Sequence, residues 1–182
     1  MDSLFFVALV LPDDLRKEVE ALKLEVAEKF GSQHALKSPA HITLQMPFKL
    51  KPKKEPALKD FLVAFSEMQH SFSLELAGFD FFEPRVVFID VEEKEELRSL
   101  QESLSNDIRR EMGIMNSTYQ NKGFRPHVTI GFRDLKKPDF YKAREYYQEK
   151  PFEATYIVNS LSLLRHGDGN WHVDQEFKFR AG

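Results

Sequence analysis

The chain contains no cysteine. That removes disulfides, thiolate nucleophiles and cysteine-based zinc sites together, and a reducing cytoplasm fits. It also lacks an apolar run long enough to span a bilayer. The most hydrophobic stretch, Leu4-Phe5-Phe6-Val7-Ala8-Leu9-Val10-Leu11, is short and follows Asp2, an acidic residue where a signal peptide needs positive charge, so it reads as a buried strand and no membrane partner is expected. Nor is there an excess of positive charge. A formal net charge of −3 argues against a protein that grips nucleic acid through its overall charge. The one basic run, Lys49, Lys51, Lys53 and Lys54, is read as a solvated loop that could at most form a local rim.

What is present is a globular composition, 42% hydrophobic and 30% charged with 17 Phe, in 182 residues. This suits a single domain with a sizeable core, made of two similar lobes, and a monomer is expected. The most informative feature is a short pattern that occurs twice: His41-Ile42-Thr43-Leu44 and His127-Val128-Thr129-Ile130. In an extended strand side chains alternate between faces, so each His and Thr would line a cleft while the aliphatic pair packs. With six His and four Thr in the chain, chance gives only about 0.13 His-x-Thr coincidences.

The surrounding elements repeat as well. Pro12-Asp13-Asp14 opens a helix whose apolar residues Leu15, Val19, Leu22, Val26 and Phe30 recur at three- and four-residue spacing until Gly31. The first motif strand is expected near residues 40 to 46. A helix follows with Leu58, Phe61, Leu62, Phe65 and Met68 on one face, then a hairpin of residues 72 to 82 and 86 to 91 around Glu83-Pro84. A helix over about 93 to 112 leads to the second motif strand, and Pro138 to Glu149 gives a short helix. Residues 153 to 165 and 171 to 180 then read as two strands joined by His166-Gly167-Asp168-Gly169-Asn170. The order helix, motif strand, helix, hairpin appears twice, with half-repeats of about 11 to 91 and 92 to 182. An approximate twofold would bring the motif strands face to face across a central groove.

Two imidazoles and two hydroxyls suit phosphoryl transfer without a metal. One His takes a proton from attacking water and the other gives one to the departing alkoxide, which the ordinary imidazole pKa of about 6.5 permits near neutrality. Thr43 and Thr129 would donate to non-bridging phosphate oxygens. Arg125 and Arg165 are candidates to meet a phosphate, and Phe48 and Phe132, each a few residues beyond its His, are candidates to flank the groove and stack on a base. His34, His70, His166 and His172 lack a Thr in the same register and read as surface or loop residues. Two imidazoles alone make an incomplete zinc site, so no metal or cofactor is expected.

The paired His-x-Thr motifs, with Pro39 and Pro126 just upstream, resemble the signature of the 2H phosphoesterase superfamily, the 2′-5′ RNA-ligase-like group, along the whole chain. The resemblance implies an α+β bilobal fold, with two antiparallel sheets around a central groove and helices outside. It implies His41 and His127 as the acid/base pair and Thr43 and Thr129 as phosphate holders. The implied substrate is a nucleotide or RNA bearing a 2′,3′-cyclic phosphate or a 2′-5′ linkage. The expected reaction opens the cyclic phosphate to a 2′-phosphate, with His41 as acid and His127 as base. The alternatives are a 2′-5′ ligase or phosphodiesterase using the same residues, or a nucleotide- or RNA-binding module without turnover.

Overall fold

A computed structural model describes residues 1–181. The apolar N-terminal run forms β1 (Ser3–Val10). Pro12 has extended backbone and stands at the start of α1 (Asp13–Phe30), whose first turn carries Asp13 and Asp14 at the positive end of the helix dipole. Gly31, in the left-handed region at φ 73°, ends it by donating its N–H to the Ala27 carbonyl. A 3-10 turn (His34–Lys37) leads into β2 (His41–Leu50), and a second one (Pro52–Lys54) into α2 (Glu55–Glu67).

The hairpin expected around Glu83-Pro84 is present as β3 (Phe72–Phe82) and β4 (Val86–Val91), and α3 (Glu95–Met112) follows. A short α4 (Ser117–Lys122) precedes β5 (His127–Gly131), where the periodicity suggests no element. After α5 (Lys137–Tyr147) the expected single strand over 153 to 165 is instead two, β6 (Glu153–Val158) and β7 (Ser160–Gly167), and β8 (Asn170–Lys178) closes the fold. The break falls at Asn159, whose carbonyl accepts from the N–H of Phe179. No glycine or proline marks it in the sequence, because apolar residues continue on both sides while the chain passes from one sheet to the other.

The eight strands of the described residues form two antiparallel four-stranded sheets, in the orders β2-β1-β7-β8 and β5-β4-β3-β6. Both repeat one plan. The motif strand lies at an edge, and beside it runs the strand that leads into the preceding helix. The helices cross over: α1 leaves the first sheet to pack on β5 with α5, whereas α3 leaves the second to pack on β2 with α2. Each sheet also takes its hairpin from the other half of the chain, β7-β8 joining β1 and β3-β4 joining β5. One continuous core fills the space between sheets and helices, while Phe6, Ala8 and Leu164 form a separate buried cluster on the opposite face of the first sheet. Among the described residues no helix is long and apolar enough to cross a membrane.

Candidate active site

Alternation along the motif strands sorts the side chains as the pattern requires. Ile42, Leu44, Val128 and Ile130 are fully buried, while His41, Thr43, His127 and Thr129 are half-buried on the opposite face. The edge strands β2 and β5 come together, so the two polar pairs share one groove between the sheets. The imidazoles are near enough for the charge of His127 to act on His41.

Both rings are held in the same way. Nδ1 of His41 donates to the carbonyl of Pro39 at 2.6 Å, and Nδ1 of His127 to the carbonyl of Arg125 at 2.8 Å. With the proton on Nδ1, each Nε2 is left as a free acceptor. Aromatic rings hold the other faces: Phe6 lies 4.9 Å from His41, and Phe82 and Phe88 lie 5.0 and 5.1 Å from His127. Among the described residues neither Thr43 nor Thr129 spends its hydroxyl on a protein partner; Thr43 is engaged through its backbone carbonyl, which accepts from the Tyr119 hydroxyl at 3.2 Å.

Burial drives both imidazoles toward the neutral form. The pKa of His41 falls from 6.5 to about 4, chiefly through desolvation; the Pro39 carbonyl opposes the shift, and the charges of Lys23 and His127 add to it. His127 is lowered as well, again chiefly by desolvation, with the Arg125 guanidinium adding to the shift and the Arg125 carbonyl and Asp90 carboxylate opposing it. Both rings are therefore neutral near pH 7, where the ordinary imidazole value suggests one of each form. An anion placed beside either ring would favour the imidazolium and draw in the missing proton.

Of the remaining candidates, Phe48, Phe132 and Arg165 lie away from the two imidazoles, whereas Arg125 stands beside His127 with its charge already paired. Phe48 is only 9% exposed and packs in the main core, 6.2 Å from Phe5, so it does not reach the groove. Phe132 stands at the end of β5, edge-on to His34 at 4.9 Å. Arg165 faces α2 rather than the groove: it ion-pairs with Glu55, donates to Asp174 at 2.9 Å and covers the Phe5 ring. Arg125 is paired with Asp80 and lies 3.7 Å from Asp90, its guanidinium over Phe82 and Phe88, and it serves His127 through its carbonyl.

Several supports gave no signal in the sequence, because each depends on a contact far along the chain. Asn116 Nδ2 donates to the Leu44 carbonyl at 3.0 Å, and Gln45 Nε2 to the Met115 carbonyl at 3.0 Å, closing the free edge of β2. At the end of β5, Asp134 accepts from Ser32 at 2.7 Å and from the N–H of Gln33 at 2.9 Å, tying that strand to the loop after α1. Among the described residues no three His, Asp or Glu side chains gather as metal ligands.

The 2′-5′ RNA ligase superfamily model matches residues 11–170. Among solved structures the fold is similar to E. coli LigT complexed with 3′-AMP, at 21% identity, TM-score 0.73 and full coverage of both chains. It is also similar to the TT0787 protein of Thermus thermophilus, at 22% identity, TM-score 0.71 and coverage of 100% of this chain and 99% of that one. A third is a structure described as a phosphoesterase, at 22% identity, TM-score 0.68 and full coverage of both chains. No curated protein matches the chain. The family match encloses both His-x-Thr motifs, and the fold sets their strands against each other between two sheets: the chain belongs to the 2′-5′ RNA ligase superfamily of 2H phosphoesterases.

Proposed function

We propose that this protein is a phosphoesterase that opens 2′,3′-cyclic phosphates, on RNA 3′ ends or small nucleotides, to 2′-phosphates by two-histidine acid/base catalysis without a metal ion. The observation that carries the reading is the matched pair of imidazoles in one groove, each pinned through Nδ1 and each followed two residues on by a Thr whose hydroxyl has no protein partner among the described residues. Crystals of E. coli LigT with 3′-AMP, ATP and NADP+ favour a nucleotide as the ligand class.

In the proposed reaction a water oxygen bonds to phosphorus as the bond from phosphorus to the ribose 3′ oxygen breaks. His127 Nε2 takes the water proton. His41, charged by the proton that the bound phosphate draws in, gives its Nε2 proton to the departing 3′ oxygen. The environments support this assignment: burial makes a protonated His41 a strong acid, and Asp90 beside His127 favours its taking up a proton. Thr43 and Thr129 donate to the non-bridging oxygens as negative charge builds there. The product carries a 2′-phosphate and a free 3′ hydroxyl.

Incubation with 2′,3′-cyclic nucleotides in the presence of EDTA tests this. A 2′-monophosphate product, lost in His41→Ala and in His127→Ala, is expected. Affinity without product would make the chain a binding module. Activity lost to EDTA and restored by added metal would overturn the metal-free reading.

A further inference from the structure

We propose that Trp171, backed by Phe6, is the platform on which the base of the nucleotide stacks while its phosphate lies between His41 and His127. The inference rests on the phosphoesterase reading for the position of the phosphate, and it names the part of the molecule that recognises the rest of the substrate.

The register of the first sheet places these residues together. Val10 pairs with His41 and Ala8 with Thr43, so β1 presents the Phe6, Ala8 and Val10 face to the groove together with the motif residues. Phe6 pairs with Leu164 on β7, and Trp171 pairs with His166 across the β7-β8 hairpin. Phe6, Ala8 and Leu164, with Val10 and Trp171 packed against them, form the small apolar cluster that stays separate from the main core. Through it runs a continuous row of rings: His41 to Phe6 at 4.9 Å, Phe6 to Trp171 at 4.6 Å edge-on, and Trp171 to His166 at 5.0 Å edge-on. Phe6 is 3% exposed, so it acts as a spacer that fixes the catalytic ring on one side and the indole on the other. Trp171 is half-buried and keeps surface for a ligand.

The second sheet shows why the base belongs on this side. There the rings beside His127, Phe82 and Phe88, are covered by the Arg125 guanidinium, which Asp80 and Asp90 hold in place. A base approaching them would have to displace a paired cation. Over Phe6 and Trp171 no cation lies among the described residues, and the one arginine on β7, Arg165, covers Phe5 on the opposite face. The two lobes thus share a catalytic plan but differ in their aromatic surface, one capped by charge and one open. An open indole two ring spacings from the acid/base histidine suits a flat heterocycle joined through ribose to the reacting phosphate, and aromatic faces accept any base. Phe48, expected from the sequence to do this, is in the core.

Trp171 is the single tryptophan of the chain, so its fluorescence reports this contact alone. Full-length His127→Ala protein at about pH 7.5, above the ordinary imidazole range, is titrated with adenosine 2′-monophosphate and, separately, with inorganic phosphate. Saturable quenching by the nucleotide and none by phosphate is expected. In otherwise unaltered enzyme, Trp171→Ala lowers the preference for 2′,3′-cyclic AMP over glycerol 1,2-cyclic phosphate, which has no base, by roughly tenfold through KM, and Trp171→Phe restores most of it. Should Trp171→Ala fail to fold, the quenching and the Trp171→Phe ratio still decide. Turnover of cyclic AMP with no quenching and an unchanged ratio would overturn the platform and leave the phosphoesterase reading intact. Nucleotide-specific quenching with no turnover by the unaltered enzyme would support the platform and overturn that reading.

Discussion

Lys23 donates its buried ammonium to the carbonyl of Ser38 at 2.7 Å, one residue before the Pro39 carbonyl that holds His41. The side chain is buried, and burial lowers its pKa from 10.5 to about 8, with Glu20 at 3.9 Å opposing the shift. It both supports the turn that orients the His41 ring and adds positive charge behind it. Lys23→Met should therefore raise the pKa of His41, read from its imidazole resonances in an NMR titration. It should also destabilise the fold by about 1–3 kcal/mol, since the Ser38 carbonyl loses a charged donor; urea denaturation measures that loss.

The His and Thr of each motif should differ in weight. Alanine at His41 or His127 removes a proton-transfer group and should lower kcat/KM for a 2′,3′-cyclic nucleotide by about 10²- to 10⁴-fold. Valine at Thr43 or Thr129 removes one hydrogen bond to a charged oxygen and should cost less, roughly 10- to 100-fold. Initial-rate assays of the four variants check the order, and equal losses would contradict the assigned roles.

The pH dependence of activity follows from two imidazoles whose proton affinity is lowered. The profile of kcat/KM should be bell-shaped with its maximum on the acid side of the ordinary imidazole value of about 6.5. The profile of kcat should lie at higher pH, because the bound phosphate restores proton affinity to His41. Initial rates over a pH series at low and at saturating substrate separate the two.

Stability should also respond to the His41 shift. Its pKa is about 4 in the folded protein against an ordinary 6.5, so between those values the unfolded chain binds a proton that the folded chain does not. Stability from this group is present above that window, falls as pH drops through it, and is flat below it. Denaturation of the unaltered protein and of His41→Phe across this range should show the shallower slope in the variant.

Gly131 closes β5 against α1. A Cβ there would lie 2.8 Å from Cγ1 of Val26, a fully buried side chain of the core. Gly131→Ala should cost about 1–3 kcal/mol by overpacking, measured by urea or thermal denaturation, and should displace the strand that carries His127 and Thr129.

Much of this protein could be read from the chain alone because the governing forces are local. Alternation buries Ile42, Leu44, Val128 and Ile130 and turns His41, Thr43, His127 and Thr129 the other way. The spacing of Leu15, Val19 and Val26 before Gly31 made α1 legible with its end, and the two motifs marked the groove by repetition. Other features depend on residues distant in sequence. The break at Asn159 leaves no local trace because both sheets want apolar strands. Arg125 and Arg165 look alike as cations near a motif or a turn, and only the fold shows each one committed to carboxylates. Phe48 and Trp171 are both aromatic residues in strands; register with β1 sends the first into the core beside Phe5, and register with β7 sets the second on the other face beside Phe6. Periodicity along one strand sets which side chains share a face, but which face meets helix, solvent or substrate is decided only when strands from both halves of the chain pair.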